Sequence, residues 1–290
     1  MQTGQPSRTA QGAAAHRALH QIAEGGAIFV DPFAVEILDA GGRARLSEMA
    51  DDPSHRPMRL FIAARSRFSE DTLAACVARG IRQVVILGAG LDTFSLRNPH
   101  ADIRLFEIDH PATQAWKREC LREAGLAIPS SLAFAPVDFE RQSLADGLIA
   151  AGFEADRPAF FQWLGVVPYL TREAVSATLD FIAAVPESEI VFDYAEPFES
   201  YPADRRASVM AIAAGAASRG EPWLSLFGPA ELSDMLRKKG FGTVEDLGLA
   251  ELTDRFYGAL KEGIRIGPGG HVVRAQKLGS SALSPPETAC

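Results

Sequence analysis

Cysteine is scarce in this chain of 290 residues and unevenly placed. The three cysteines, Cys76, Cys120 and Cys290, are an odd number at wide spacings, so the sequence predicts neither a disulfide framework nor a thiolate metal site. His16 and His20 stand four residues apart, as on one face of a helix, but no acidic or cysteine ligand lies nearby in sequence. Since zinc needs three or four ligands, we expect no bound metal.

Basic residues are outnumbered, and long apolar runs are missing. The chain has 29 Lys and Arg against 37 Asp and Glu, a formal net charge of −8, and no run of Lys or Arg that could follow a phosphate backbone. We therefore expect no nucleic-acid partner. No apolar stretch reaches the roughly 18 residues needed to span a bilayer, and the N-terminus lacks the apolar core of a secretory signal. A cytoplasmic protein without membrane association is expected.

What the sequence does contain is an alternation of short apolar runs with segments of helical length. Near-continuous apolar runs predict strands that are covered on both faces, as in a parallel α/β sheet. The predicted strands are Gln83–Leu87, Ile103–Ile108, Leu132–Val137, Ala159–Leu164, Glu189–Tyr194, Phe241–Leu247 and His271–Lys277. The predicted helices between them are Pro111–Ala124, Glu140–Ala151, Thr171–Val185 and Pro229–Lys239.

No repeat and no Pro/Gly linker divides the chain, so we predict a single domain over residues 1–290. Residues 1–56 are expected to form an N-terminal helical cap. Residues 195–227 are too long for a plain connection between strand and helix, and we expect them to cover the ligand site as an insertion. Residues 279–290 carry Ser, Pro and Gly without periodicity, which predicts a flexible tail.

A glycine loop follows the first predicted strand. Gly88, Ala89 and Gly90 would let the backbone turn sharply and approach a ligand closely at the carboxyl end of the sheet. Thr93 stands where the dinucleotide fingerprint has its third glycine, which argues against a bound pyrophosphate. Asp109 ends the second strand about twenty residues further on, where a carboxylate can accept both ribose hydroxyls of a nucleoside.

A second acid follows the third predicted strand. Asp138 is suited to accept a hydrogen bond from an adenine amine, while Phe139 offers apolar surface. The alternative is that Asp138 only caps the next helix. Because Gly88, Gly90 and Asp109 fall along the same edge of the sheet, we favour an adenosine site.

A long helix is predicted over residues 57–79, directly before the first strand. The helical period places Arg65 on its apolar stripe, facing inward. A buried guanidinium needs an anion, and the carboxylate of an amino-acid ligand at the glycine loop would provide one; a structural acid such as Asp92 is the alternative. Arg67 falls about 200° away, where we expect a solvated ion pair with Glu70 or Asp71.

These residues carry a resemblance to a known family. The run AARSRFSEDTLAACVARGIRQVVILGAGLDTFSLR, together with FEIDHPATQAWKRECL, VDFE and WLGVVPYLT, resembles the leucine carboxyl methyltransferase-like family of S-adenosylmethionine-dependent methyltransferases, including its bacterial branch. The resemblance extends over about residues 8 to 245. Family positions that bind the cofactor match Arg65, Gly88, Gly90, Asp109, Asp138 and Phe139.

The resemblance implies a class I methyltransferase fold, which is Rossmann-like, with a seven-stranded, mostly parallel sheet whose last strand runs antiparallel. It also implies S-adenosyl-L-methionine as the cofactor. Family members that methylate a protein C-terminus carry glutamate where this chain has Leu164, which favours a small-molecule acceptor, either a carboxylate or a phenolic or polyketide-like hydroxyl. Candidate acceptor-binding residues are Tyr194, Tyr201 and Trp223.

The sequence identifies no catalytic residue. Methyl transfer from a sulfonium is an in-line displacement, so the protein mainly aligns the reactants and excludes water. We expect structural roles for His110 and His271, which weakly favours an acidic acceptor. Two other functions stay open: an NAD-linked oxidoreductase, disfavoured by Thr93 and Asp138, and a non-catalytic partner protein that binds the cofactor. The oligomeric state is not predicted.

Overall fold

The computed structural model describes residues 7–137 and 142–277. The predicted tail at 279–290 and two predicted site residues, Asp138 and Phe139, lie outside these ranges. The helices are α1 (Arg8–Ala23), α2 (Ala40–Ala50), α3 (Arg56–Ala78), α4 (Phe94–Arg97), α5 (Pro111–Glu123), α6 (Leu144–Ala150), α7 (Arg172–Ala184), α8 (Ala203–Ser218), α9 (Pro229–Lys238) and α10 (Leu249–Leu252). The strands are β1 (Gln83–Leu87), β2 (Arg104–Asp109), β3 (Leu132–Pro136), β4 (Ala159–Trp163), β5 (Glu189–Ala195), β6 (Phe241–Leu247) and β7 (Gly270–Lys277).

The seven strands of the described residues form one sheet in the order β3-β2-β1-β4-β5-β7-β6. Strands β1 to β5 run parallel, and β7 lies antiparallel between β5 and β6. The predicted seven-stranded, mostly parallel sheet with an antiparallel last strand is therefore confirmed. Because the chain leaves β1 toward β3 and then returns to place β4 on the other side of β1, a crevice opens at the carboxyl ends of β1 and β4, where open α/β sheets bind ligands.

The predicted strand bounds are confirmed to within one residue at each end, whereas one helix begins later than predicted. Helix α6 starts at Leu144 rather than at Glu140. The Ser143 hydroxyl accepts the backbone N–H of Asp146, so Ser143 is the N-cap. Apolar periodicity alone does not locate such a cap, which explains the difference.

The sheet is covered on both faces. Along β1, Val85 and Leu87 enter a core with α6, α7 and α9, whereas Val84 and Ile86 enter a second core with α3 and α10, because successive strand residues point to opposite faces. A third, smaller core joins α1 and α2 to α5. The N-terminal helices therefore pack beside the carboxyl end of β2, next to the glycine loop. Within the described ranges, no helix is long and apolar enough to cross a membrane.

The long connection after β5 returns to the sheet beside the loop that follows β4. After α8 the chain is extended, and the N–H of Leu224 donates to the carbonyl oxygen of Pro168 over 2.6 Å. The N–H of Phe227 then donates to the carbonyl oxygen of Ala195 over 3.1 Å. These bonds hold residues 220–224 over the crevice.

Candidate functional site

A cavity of about 740 Å³ lies at the carboxyl ends of β1, β2 and β4. It brings together five residues that the sequence predicts to bind the cofactor: Arg65, Gly88, Ala89, Gly90 and Asp109. Its walls come from the first turns of α1, the middle of α3, the glycine loop, the start of α5, the loop after β4 and the segment after α8.

The glycine loop has a backbone that other residues would not adopt without strain. Gly88 and Gly90 have φ angles of +65° and +48°, a left-handed region in which a side chain is disfavoured. A Cβ atom on Gly88 would lie 2.4 Å from Cγ2 of Val166, and one on Gly90 would lie 2.9 Å from Cβ of Ala10. Both glycines are therefore required by the backbone and by the close approach of two other cavity walls.

Asp109 closes the loop from below. Its Oδ2 accepts the backbone N–H of Gly90 over 2.6 Å, and its Oδ1 accepts the backbone N–H of His110 over 2.7 Å. Each carboxylate oxygen keeps one further lone pair for a ligand hydroxyl. Burial raises the pKa of Asp109, against the opposing effect of the two N–H groups.

Arg65 is buried, as the helical stripe predicts, and its exposed fraction is 9%. Its Nη1 donates to Oδ2 of Asp193 over 2.6 Å, and the other oxygen of Asp193 accepts the N–H of Gly165. A Cβ on Gly165 would lie 2.9 Å from Nη2 of Arg65, so a larger residue there would displace the guanidinium. The Nε atom of Arg65 is buried and has no hydrogen-bond partner among the described residues, which leaves a donor for an anion.

The structural acid beside Arg65 is thus Asp193, not Asp92, the alternative that the sequence offered. The carboxylate of Asp92 instead accepts the N–H of Phe94 over 2.7 Å and the amide of Gln162 over 3.2 Å. The surface pair predicted for Arg67 is confirmed with Asp71, with Nε and Oδ1 2.8 Å apart.

Arg17 and Asp31, which the sequence did not single out, connect the N-terminal cap to the glycine loop and to Thr93. Nε of Arg17 donates to Oδ2 of Asp31 over 2.6 Å, and Nη2 donates to the carbonyl oxygen of Leu91 over 2.5 Å. The hydroxyl of Thr93 donates to the same Asp31 oxygen over 2.6 Å. Thr93, which stands where the dinucleotide fingerprint has its third glycine, therefore makes a buried hydrogen bond to the cap. Because Leu91 lies 74 residues from Arg17 in the chain, spacing carries no signal for this contact.

The structure does not bring the three predicted acceptor-binding residues to the cavity. The Tyr194 ring lies on the β6–β7 side, where its hydroxyl donates to Oδ2 of Asp246 over 2.5 Å and the ring stacks on His271. Tyr201 is buried away from the cavity lining. The Trp223 ring stacks on Phe198. The residues on either side of Trp223 line the cavity instead, because consecutive side chains of an extended segment point to opposite sides.

The histidines fall into structural settings. His110 lines the cavity, but its Nδ1 accepts the N–H of Ala112 over 3.2 Å as the N-cap of α5. His271 lies between two carboxylates, with Nδ1 3.0 Å from Asp246 and Nε2 3.1 Å from Glu196. Both agree with the expected structural roles.

His16 and His20 in α1 are not arranged with other described residues to bind a metal ion. Burial, followed by the neighbouring His55 and several arginines, lowers the pKa of His16 to about 3. The Nδ1 atom of His20 lies 3.0 Å from the carboxylate of Glu24. Within residues 7–137 and 142–277, no group of three or more His, Cys, Asp or Glu side chains is arranged to hold a metal ion.

Glu221 and Tyr169 line the cavity, although the sequence did not single them out. Oε1 of Glu221 accepts the Ser7 hydroxyl over 2.7 Å, and Oε2 accepts the N–H of Thr9 over 2.9 Å. The segment after α8 is thereby connected to the first turn of α1 across the cavity. No motif marks Glu221, since its partners lie more than two hundred residues earlier.

This chain is similar in sequence to known methyltransferases. The family model for leucine carboxyl methyltransferase matches residues 10–183. YktD of Bacillus subtilis, named for S-adenosyl-L-methionine-dependent methyltransferase activity, is 36% identical over 220 residues, which cover 74% of this chain and 71% of YktD. A protein of Mycobacterium avium with the same activity in its name is 36% identical over 199 residues, covering 63% of each chain. The matched part of this chain thus spans less than two thirds of the mycobacterial relative.

Solved structures agree in fold. A DUF574 family protein from Streptomyces avermitilis superposes with a TM-score of 0.53 at 19% identity, covering 92% of this chain and 97% of that chain. The CurJ carbon methyltransferase superposes with a TM-score of 0.51 at 16% identity, covering 93% of this chain and 67% of that one. At such identities the likeness shows the fold alone.

Proposed function

The chain belongs to the leucine carboxyl methyltransferase family, and on that premise we propose that it transfers the methyl group of S-adenosylmethionine to an oxygen atom of a small-molecule acceptor. Family membership and relatives named for S-adenosyl-L-methionine-dependent methyl transfer support the reaction and the cofactor. The choice of an oxygen atom on a small molecule is our proposal for this chain.

The residues around the cavity fit this cofactor, and the observation that carries the assignment is the free donor of Arg65. Its Nε is buried without a hydrogen-bond partner among the described residues, beside a glycine loop that leaves the backbone open to a ligand. A methionine carboxylate would satisfy that donor, because buried charged donors favour charged acceptors. When bound, the cofactor supplies an electrophilic methyl group on a sulfonium sulfur.

Two carboxylates are assigned to the adenosine part. Asp109 has a lone pair on each oxygen beyond its two backbone bonds, enough to accept both ribose hydroxyls. Asp138 and Phe139, the adenine contacts implied by the family, stay a prediction because they lie outside the described residues. Val137, directly before them, lines the cavity.

The small-molecule acceptor is supported by the shape and lining of the cavity. Leu164 lines it at the position where family members that act on a protein C-terminus carry glutamate. The contact of Glu221 with Ser7 and Thr9 encloses the cavity on the side of the cap, which suits a compact acceptor better than a protein tail. The role of the chain is then to hold the acceptor in line with the methyl group and to exclude water.

Titration calorimetry with S-adenosylhomocysteine tests the cofactor assignment. We expect micromolar binding of S-adenosylhomocysteine and no binding of NAD at the same concentrations. Binding of NAD without binding of S-adenosylhomocysteine would contradict the proposal. The matched variants are Asp109→Asn, which should weaken binding, and Asp71→Asn, which changes an exposed carboxylate outside the cavity and should not.

A further inference from the structure

The two basic residues that line the cavity are both paired with acids, and the cavity is also lined by three carboxylates. Arg17 and Arg65 line it, and each is paired with a carboxylate: Arg17 with Asp31 and Arg65 with Asp193, both at 2.6 Å. The lining carboxylates are those of Asp92, Asp109 and Glu221. Among the described lining residues, no Lys or Arg is left without an acidic partner.

This balance bears on the chemical class of the acceptor. A carboxylate acceptor would enter beside three carboxylates, and the free donor of Arg65 would already serve the cofactor under the proposed function. Because the described lining has no Lys or Arg without an acidic partner, only the sulfonium of the cofactor could offset the charge of an acceptor carboxylate, and the neighbouring carboxylates disfavour it. A neutral hydroxyl avoids this cost, but it must lose its proton during the transfer. The cavity therefore needs a proton acceptor.

Three other cavity residues that could take the proton are excluded, each for a different reason. His110 Nδ1 accepts a backbone N–H, so the neutral ring carries its proton on Nε2 and has no free acceptor nitrogen. Burial raises the pKa of the Tyr169 phenol, and the charge of Glu221 raises it further, so the phenol stays protonated. Asp109 is assigned to the ribose.

Asp92 is held within the polar network beside the glycine loop. Its Oδ2 accepts the Gln162 amide, whose oxygen in turn accepts the Ser69 hydroxyl over 2.8 Å. This chain of bonds joins Asp92 to α3 beneath the loop.

Glu221 differs from these groups in its position. It comes from the segment after α8, is 8% exposed, and lies on the wall that also carries Tyr169 and Leu224. The Ser7 hydroxyl and the Thr9 N–H fix the orientation of its carboxylate, and each oxygen keeps a lone pair for a further donor. The aliphatic lining near it, from Leu170 and Leu224, suits an aromatic ring.

We propose that the acceptor is a neutral phenol and that Glu221 takes its proton, an inference that rests on the proposed function. As the phenol oxygen forms its bond to the methyl carbon, the O–H proton passes to the Glu221 carboxylate and the electron pair of the breaking C–S bond stays on sulfur. The products are a methyl ether, a neutral thioether and a protonated Glu221, which returns its proton to solvent. A carboxylate is a sufficient base because the O–H becomes strongly acidic as the new bond forms.

Binding measurements test the charge preference without turnover. The protein is saturated with S-adenosylhomocysteine and titrated with 2-naphthol and with 2-naphthoate, which share one ring system. We expect 2-naphthol to bind at least tenfold more tightly, and Glu221→Gln to reduce that ratio toward one. Glu199→Gln, the same change at an exposed position of the insertion, should keep the ratio. Tighter binding of 2-naphthoate, binding of neither compound, or a ratio that Glu221→Gln leaves unchanged would overturn the proposal.

Turnover identifies the methylated atom. Given 6-hydroxy-2-naphthoate, which carries both groups, the enzyme should form the ether and not the ester. Glu221→Gln should lower kcat for 2-naphthol by about 100-fold or more, keep the dissociation constant of S-adenosylhomocysteine within twofold, and have little effect with a nitro-substituted naphthol that is already ionised.

Different results would contradict the role of Glu221 and the methyltransferase function. Formation of the ester, or of no methylated product, would overturn the assignment of Glu221 and the phenol while S-adenosylhomocysteine still binds. If the unmodified protein does not bind S-adenosylhomocysteine, that result would instead contradict the proposed function. Melting temperature and circular dichroism of Glu221→Gln establish that the variant is folded.

Discussion

The guanidinium of Arg65 on α3 donates to the carboxylate of Asp193 on β5 over 2.6 Å, across 128 residues of sequence. The same carboxylate accepts the N–H of Gly165, so one acid holds together α3, β5 and the loop after β4. Asp193 occupies Nη1 and leaves Nε of Arg65 without a partner among the described residues. Arg65 can therefore serve a structural anion and a ligand anion at once.

Replacing Arg65 by Met should weaken the binding of S-adenosylhomocysteine. The variant loses the donor for the cofactor carboxylate and leaves Asp193 without its cation. A hydrogen bond to a charged group contributes about 1.5–3 kcal/mol, so calorimetry should show a loss of roughly ten- to a hundredfold in affinity. Arg67→Met, which removes an exposed pair with Asp71, should leave binding unchanged.

A ligand without the carboxylate separates these roles of Arg65. Methylthioadenosine should bind the unmodified protein and Arg65→Met almost equally. If Arg65→Met weakens both ligands to the same extent, its effect acts through the fold and not through the carboxylate.

Gly88→Ala should destabilise the protein more than Gly25→Ala. The two glycines have similar φ angles, +65° and +59°, but only at Gly88 would the new Cβ meet another atom, Cγ2 of Val166 at 2.4 Å. The left-handed backbone costs about 1–2 kcal/mol at either site, and overlap adds about 1–3 kcal/mol at Gly88. Free energies of unfolding from urea titration measure the difference, and equal losses would show that the loop relaxes around Val166.

The affinity for S-adenosylhomocysteine should fall on acidification through the pKa of Asp109. Burial raises that pKa above the usual value for Asp, which is about 3.9, and a protonated carboxyl group accepts ribose hydroxyls less well. When the pH is lowered from 8 to 4, the dissociation constant should therefore begin to increase at a pH above the usual pKa of a carboxyl group. Asp109→Asn should bind more weakly, with a flatter pH dependence. Parallel curves for the two proteins would assign the titration to another group.

His271 should make the protein less stable as the pH rises. Hydrogen bonds to Asp246 and Glu196 raise the pKa of His271 in the folded protein although burial opposes them. The stabilisation should be complete below about pH 6.5, the value in the unfolded chain, and be lost as the pH rises through the higher folded pKa.

The measurement compares the free energy of unfolding of the unmodified protein with that of His271→Asn. We expect the difference to reach about 1.5–3 kcal/mol at pH 6 and to shrink toward pH 9. His100→Asn, outside this network, serves as the control. A difference that does not change with pH would mean that His271 contributes by packing alone.

The sequence alone predicted those features that depend on neighbouring residues, such as strand bounds and the face of a helix on which a residue lies. The strands follow from apolar runs, and β1 and β6 begin and end where predicted because turn-forming residues bound them. The same holds for Arg65 and Arg67, whose inward and outward positions follow from the helical period. Asp109 reached the cavity as predicted because the carboxyl ends of adjacent parallel strands meet at one edge.

The placement of Tyr194, Tyr201 and Trp223 could not be predicted in this way. Each lies in or next to the segment that follows β5, as the sequence indicates, but none of the three is among the residues that line the cavity. Which side of an extended or irregular segment faces a ligand depends on the partners that the segment meets, here Asp246 for Tyr194 and Phe198 for Trp223.

The sequence by itself determined the fold, the edge of the sheet that binds the ligand and the glycine loop, because periodicity, turn chemistry and family motifs act over short stretches. Only the tertiary structure decided which partner each buried charged group has around the cavity. Arg65 with Asp193 and Glu221 with Ser7 join positions 128 and 214 residues apart. Several acids in the chain could have neutralised each buried group. Packing of the whole chain selects the partner, since a buried charge is stabilised only by the groups that the fold brings within a few ångströms.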